Sequence, residues 1–373
     1  MYDQIRADTL YVMLYAGAAT MAMLSACYLL LRRGNAFVAE ITPPLHLRRC
    51  TAAFFASLAL NHVWYMPLFF LQSSREARMV DLVGGLLDCM TIFPLALIVL
   101  LAMLQDRHRP LWPVFALMTP IVVEAALGVA TGSYALMTVE YVYCLVMCVG
   151  LTIYMVRALR QYGHWLRNNY ADLEHKEVWQ SFMVLAIMLL VFGIYAFTIK
   201  GPVYQYAMQA ILFVLIGYLL WRVETLSDLS LHLATGEAET GDGKSAAAED
   251  KGLSQATLES IGQLLQQYCI DTQLYLQHDL TISQLAKAVG TNRNYLSQYF
   301  AGQGITYNAY INNLRINRFM RLYREAVAAQ RPFTAQQLAS ESGYRSYSTF
   351  SIAFKQRMGQ TVTAWMRDTD RGT

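Results

Sequence analysis

Charge is scarce in this chain. Asp, Glu, Lys and Arg make up 15% of its 373 residues, where an ordinary soluble protein carries about 25%. Hydrophobic residues make up 55%. That balance excludes a disordered polymer and a single soluble globule. The six cysteines fall at no regular spacing, which excludes a disulfide framework. There is no His-Glu-x-x-His and no Gly-x-Ser-x-Gly, the signatures of zinc proteases and of nucleophile elbows. Gly241–Ser245 imitates the end of a phosphate-binding loop, but the glycine that motif needs is Ala238, and no apolar strand precedes it. Cys144 and Cys148 lie one helical turn apart without a His or carboxylate to complete a metal site. No enzyme activity, cofactor or metal is expected.

What is there in abundance is long apolar runs. Seven stretches reach the roughly 20 residues needed to cross a bilayer as a helix. They lie near 9–31, 51–71, 80–104, 110–130, 134–156, 178–199 and 203–221. Short polar connections separate them, among them Arg157–Glu177. Helices of a soluble core would need polar outer faces. The first run is not a cleaved leader, because its charged flank, Arg32 and Arg33, follows it. One set of loops carries eleven Lys and Arg and the opposite set four. Positive charge stays inside, so the reading is N-terminus out and C-terminus in.

A few polar residues interrupt the spans. Asn61 and His62 lie in the second, Asp88 in the third, Glu124 in the fourth and Glu140 in the fifth. The three carboxylates sit about 10 Å below the outer surface at 1.5 Å per residue. Ionisable groups at such depth face a bundle interior or a wet cavity. One reading is a cavity for a small-molecule or extracytoplasmic ligand, walled by Trp64, Tyr141 and Tyr143. The other is that these groups join helices through hydrogen bonds.

The character changes after Trp221. Arg222–Leu233 reads as a helical extension of the last span, with Leu226, Leu229 and Leu233 at coiled-coil spacing. Residues 234–252 read as a flexible, acidic linker. Charge then reverses. Residues 1–252 hold 17 Lys and Arg against 19 Asp and Glu, a net of −2, while residues 253–373 hold 12 against 7, a net of +5.

The basic segment contains a repeat. Thr281, Gln284, Leu285, Ala286 and Gly290 return 53 residues later as Thr334, Gln337, Leu338, Ala339 and Gly343. Leu296, Ser297 and Phe300 return 54 residues later as Phe350, Ser351 and Phe354. Each copy opens on Thr-x-x-Gln, a capping box that starts a helix. Each turns at a glycine and continues into a second helix with apolar residues at i and i+4. That is a helix-turn-helix twice over, whose second helix would enter the DNA major groove. Tyr307–Glu325, with a helical apolar face, reads as one long helix joining the two.

These residues carry a resemblance. Leu285-Ala286, Tyr295-Leu296-Ser297 with Phe300, Leu314-Arg315, Gly343-Tyr344 through Phe350, and Phe354-Lys355 resemble the DNA-binding domain of AraC/XylS transcription regulators. Val362 departs from that pattern, where the family usually has Pro, and Phe319 departs where it has Ala. The resemblance implies base contacts at Asn294, Ser297 and Gln298 in the first unit and at Tyr347, Ser348 and Ser351 in the second. Asn and Gln can bond adenine, and Ser can serve either base. Arg293, Arg345 and Lys355 read as phosphate contacts or as mixed contacts. Tyr347 has an alternative role in packing between helices, and Arg315 one in bracing the two units.

The whole chain thus reads as all-α: a seven-helix transmembrane bundle (1–221), an extension and linker (222–252), and a soluble two helix-turn-helix, homeodomain-like domain (253–373). It would be a membrane-anchored one-component transcription regulator of a bacterial inner membrane. Its partners would be promoter DNA, the lipid bilayer, a ligand, a second copy and, by the resemblance, RNA polymerase. Competing readings are a passively anchored regulator whose bundle docks a sensing partner, and a transporter fused to a regulator.

Overall fold

A computed structural model of the protein describes residues 8–32, 35–38, 41–71, 73–132, 137–187, 202–229 and 255–372. Helices dominate, and among the described residues there is no β-strand, only a bridge between Tyr170 and Thr281. The chain divides into two compact units, Met1–Tyr162 with Val178–Leu233, and Gly163–Glu177 with Ala234–Thr373.

The first unit holds α1 (Thr9–Leu31), α2 (Leu45–Tyr65), α3 (Ser74–Met90), α4 (Ile92–Ala102), α5 (Trp112–Thr131), most of α6 (Met137–Asn169) and α7 (Pro202–Thr225). Asp8 starts α1 by accepting from the N–H groups of Leu10 and Tyr11, which would otherwise lack partners. A 3-10 turn, Met66–Phe69, ends α2 at Pro67. Thr91 separates α3 from α4 with φ −122° and ψ −65°, and its Oγ1 donates to the Leu87 carbonyl at 2.7 Å. Counting that pair as one, six helices among the described residues are long and apolar enough to cross a membrane: Thr9–Leu31, Leu45–Phe69, Ser74–Ala102, Trp112–Thr131, Val142–Asn169 and Gln205–Thr225. Their large apolar side chains point outward as well as inward. Leu10, Met13, Leu24, Leu30 and Leu31 of α1 are all exposed, far more apolar surface than a soluble protein shows.

Several expected boundaries move. Of the span expected at 178–199, residues 179–187 are helical and 188–199 lie outside the described residues. The fifth helix does not stop near 156 but runs to Asn169. Arg157–Asn169 is rich in good helix formers and contains no proline, so nothing ends the helix where the apolar run ends. The last helix stops at Thr225 rather than extending to Leu233. Leu226 and Leu229 are buried, and the chain there is pinned by backbone bonds. Asp228 N–H donates to the Thr42 carbonyl at 3.0 Å, and Leu229 N–H donates to Gln105 Oε1 at 2.9 Å. These contacts take the place of a coiled-coil stripe at Leu226 and Leu229; Leu233 and 234–252 lie outside the described residues. Beside this end, the fully buried Glu224 pairs with Arg48 at 3.2 Å. Tyr28 OH also donates to Glu224, at 3.2 Å, so the buried charge is neutralised and bonded.

The second unit holds α8 (Gln255–Leu265), continued by a π-helical turn (Gln266–Asp271), then α9 (Ile282–Val289), α10 (Arg293–Gly302), α11 (Tyr307–Ala328), α12 (Ala335–Glu341), α13 (Tyr347–Met358) and α14 (Val362–Gly372). The sequence repeat is a repeat of burial. Leu285 and Leu338, Ala286 and Ala339, Leu296 and Phe350, and Phe300 and Phe354 are all buried. Each set builds its own apolar core. The first includes Leu265, Cys269, Leu296, Phe300 and Tyr307; the second includes Phe319, Tyr344, Phe350, Phe354 and Trp365. The helix α11 supplies residues to both. Phe319 fills its place fully buried, 4.4 Å ring to ring from Phe350, and Val362 is buried in the same core.

Candidate nucleic-acid interface

The first helix-turn-helix begins with a complete capping box. Gln284 N–H donates to Thr281 Oγ1 at 3.2 Å, and Thr281 N–H donates to Gln284 Oε1 at 2.8 Å. The second completes only half of it. Gln337 N–H donates to Thr334 Oγ1 at 3.1 Å, but the Gln337 side chain turns to Glu341 at 3.0 Å. The second helices start on side-chain caps as well, Asn292 for α10 and Ser346 for α13.

Burial then sorts the faces of α10 and α13. Leu296 and Phe300, and Phe350, Ala353 and Phe354, face the cores. Asn294, Ser297 and Gln298 are exposed on α10, and Arg293 is half-buried at its start. On the second unit Arg345, Ser348 and Lys355 are exposed, and Ser351 is half-buried. Tyr347 is half-buried with its ring 5.8 Å from that of Phe350, so the packing role read for it has a contact behind it. Each expected contact residue except Tyr347 thus lies off the apolar cores, on α10, on α13 or, for Arg345, in the turn before α13.

Arg315 braces. Its side chain is 1% exposed. Nε donates to the Tyr275 carbonyl at 2.8 Å, and Nη2 donates to the carbonyls of Gln277 and His278 at 2.7 and 3.2 Å. The guanidinium lies 5.5 Å from the centre of the Tyr344 ring. A residue of α11 therefore ties the segment that leads into the first helix-turn-helix to the turn of the second helix-turn-helix. Burial pulls its pKa down, opposed by the neighbouring Tyr344 and Asp172. Nearby, burial pushes the Cys269 thiol up to about 12, so that thiol stays protonated and apolar.

One part of this surface has no signature in sequence. The segment Gly163–Glu177 belongs to the second unit. Glu174 Oε2 accepts from Ser346 Oγ at 2.7 Å and from Thr349 Oγ1 at 2.8 Å, at the start of α13. Arg345 pairs with Asp279 at 3.5 Å, and Lys176 pairs with the same carboxylate at 3.3 Å. In the sequence this connection shows only its polarity and its Lys and Arg residues. Its fit depends on contacts more than a hundred residues apart.

In the first unit, the polar residues of the spans divide. Asn61 Nδ2 donates to Asp88 Oδ1 at 2.9 Å, and Tyr65 OH donates to Oδ2 at 3.1 Å. His62 is buried, with Nδ1 2.8 Å from the Leu58 carbonyl and Nε2 3.3 Å from Gln209 Oε1. A cavity of about 190 Å³ is lined by Tyr11, Tyr15, Asn61, Tyr65, Phe69 and Gln205, with Leu68. Asn61 is thus on its wall, whereas Asp88, His62 and Glu124 are not among its lining residues. Glu124 is half-buried on α5, and the side chain of Glu140 lies outside the described residues, as does that of Tyr141. Tyr143 OH donates to the Leu117 carbonyl at 2.8 Å, a tie between α6 and α5. Among the described residues no group of three or more His, Cys, Asp or Glu could hold a metal ion.

Residues 285–368 match a family model described as a helix-turn-helix domain, of the AraC type. The match takes in α9 through most of α14, so it covers both units and the helix between them. It supports a DNA-binding, AraC-type regulator domain that binds double-stranded DNA. Neither the comparison with curated proteins nor that with solved structures finds a match.

Proposed function

We propose that the chain is a membrane-anchored one-component transcription regulator. Residues 1–221 form a seven-span bundle with the N-terminus outside, 222–252 form a connection, and 253–373 read promoter DNA in the cytoplasm. The observation that carries this reading is the pair of helices α10 and α13, each with its apolar face buried in its own core and polar side chains left outside. Asn294, Ser297 and Gln298 with Tyr347, Ser348 and Ser351 contact bases, and Arg293, Arg345 and Lys355 contact phosphates. The net charge of +5 in residues 253–373 favours a phosphate-facing surface. A ligand entering the Tyr-lined cavity near Asn61 and Asp88 shifts the bundle through differential affinity for two of its states. A second copy and RNA polymerase complete the assembly.

Purified intact protein tests the reading by titration against promoter fragments at several salt concentrations. The expected result is saturable binding whose logarithm falls linearly with the logarithm of salt. Asn294→Ala should cost about 1–3 kcal/mol at one base position and relax preference there. Lys355→Ala should weaken all sequences alike and lower the salt slope by about one. Salt-independent binding, or none to any fragment, overturns the assignment.

One observation favours a second reading of the bundle alone. Asp88 has both oxygens bonded by Asn61 and Tyr65, as a group that joins helices would. Under that reading the bundle anchors and a partner senses, and substituting Asp88, Glu124 and Glu140 together leaves the transcriptional response intact.

A further inference from the structure

The start of α13 already holds an anion, and that anion belongs to the chain itself. Ser346 caps the helix by accepting from Thr349 N–H at 3.2 Å. Its hydroxyl and that of Thr349 both donate to one carboxylate oxygen of Glu174. Tyr347 and Ser348 follow directly, and Ser351 lies one turn on. The N-terminal turn of a second helix is the part of a helix-turn-helix that approaches bases and phosphates, and the positive end of a helix favours an anionic acceptor.

The rest of the segment is fitted rather than draped. Tyr170 bridges to Thr281, and Ala171 N–H donates to the Leu280 carbonyl at 3.1 Å. Asn308 Nδ2 donates to the Ala171 carbonyl at 2.7 Å and to that of Tyr170 at 3.3 Å. Ala171 is buried within the first apolar core, and Asp172 is buried too. Lys176 pairs with Asp279, which also holds Arg345. Within its own compact unit, the segment therefore grips the first helix-turn-helix at Thr281 and Asn308 and reaches the second helix-turn-helix at Ser346.

We propose that Gly163–Glu177 is a built-in competitor of DNA, an interaction surface in which the Glu174 carboxylate takes the place of a backbone phosphate at the start of α13. The inference rests on the DNA-binding reading above. A carboxylate and a phosphodiester are both anionic oxygen acceptors, and both would draw on the same two hydroxyls. They cannot occupy the site together, because two negative charges held by the same two hydroxyls repel each other. DNA engages the second helix-turn-helix only after Glu174 leaves. By chain continuity the segment runs from α6 into the helical residues 179–187, so a change in either span reaches the reading face over a few residues. The long linker at 234–252 is not needed as a lever.

The test uses the intact protein in nanodiscs of phosphatidylethanolamine and phosphatidylglycerol. Duplexes are enriched from a random 40-base-pair pool, separately by wild type and by Glu174→Ala, and affinities are then measured for wild type, Glu174→Ala and Glu174→Gln. Both variants should bind the enriched duplex roughly tenfold more tightly than wild type, the scale of a lost charge-assisted contact. Saturating duplex should also speed hydrogen exchange at the Ala171 amide of wild type, because the segment is displaced. The proposal stands only if both results are seen. Equal affinities, or an Ala171 amide unmoved by DNA, overturn it while leaving DNA binding in place. Failure of all three proteins to bind any duplex overturns the DNA-binding reading and this inference with it.

Discussion

At Gly343 two backbones meet. Its φ is +92°, and a Cβ there would lie 2.8 Å from Leu276 Cα and 2.9 Å from the Leu276 carbonyl oxygen. Backbone cannot step aside as a flexible side chain can. Gly290, its counterpart in the first unit, has φ +75° but open space where a Cβ would go. The two glycines look equivalent in sequence and differ in what surrounds them. Gly343→Ala should therefore cost more, about 3 kcal/mol from strain and clash together, against about 1 kcal/mol for Gly290→Ala from the left-handed backbone alone. Urea unfolding followed by tryptophan fluorescence of Trp365 would measure the pair, and equal losses would contradict the argument. Arg315 was legible as a bracing residue through the family resemblance, but its three carbonyl acceptors were not. They come from Tyr275, Gln277 and His278, roughly forty positions earlier, on a stretch with no pattern of its own. Phe319 shows the opposite case. The departure from the family's usual alanine is absorbed by contacts with Phe350, Phe354 and Trp365.

Helix starts were the most legible elements and helix ends the least. A cap is a local bond between residues two or three apart, so Thr281 and Thr334 announce themselves. The two Thr-x-x-Gln motifs are nonetheless unequal. Thr281→Ala removes an acceptor from a reciprocal pair, whereas Thr334→Ala removes one bond only. The first should destabilise the reader domain by about 1–2 kcal/mol and the second by about 0.5–1 kcal/mol, read as a shift in thermal midpoint. A larger loss at Thr334 would sink this account. Ends follow different physics. The apolar run of the fifth span closes near 156, but hydrophobicity governs where a helix meets lipid, not where its hydrogen bonding stops. The helix α6 therefore carries on through Arg157, Arg160 and Arg167 to Asn169. The Leu226–Leu229 spacing misled for a related reason. Two leucines at that interval fit a coil seam, yet Thr42 and Gln105 capture the backbone first. The docking of Glu174 was invisible because an acidic residue in a polar connection is the least informative residue type there is.

Across the whole molecule, charge is segregated by sequence and by task. The apolar helices carry few ionisable groups, and the basic surplus lies at the far end of the chain. An alkaline phosphatase fused after Thr373 should be inactive in an intact bacterial cell, because that enzyme folds only outside the cytoplasm, and a fluorescent protein fused there should shine. Active phosphatase at that position would rule out gene control by this chain. The repeat and the apolar runs made the two-part plan legible, since both are periodic and need no long-range information. The division within α6, which gives Gly163–Glu177 to the reader, was not legible, because it depends on which surface a connection chooses to cover. The helix α11 has one more bearing on the chromosome. Twenty-two residues at 1.5 Å each span about 33 Å, close to one turn of duplex at about 34–36 Å. If both halves read DNA as proposed above, α11, locked at its middle to both by Arg315, would act as their ruler, and a control region that moved its two boxes by half a turn would present one of them on the wrong side of the double helix.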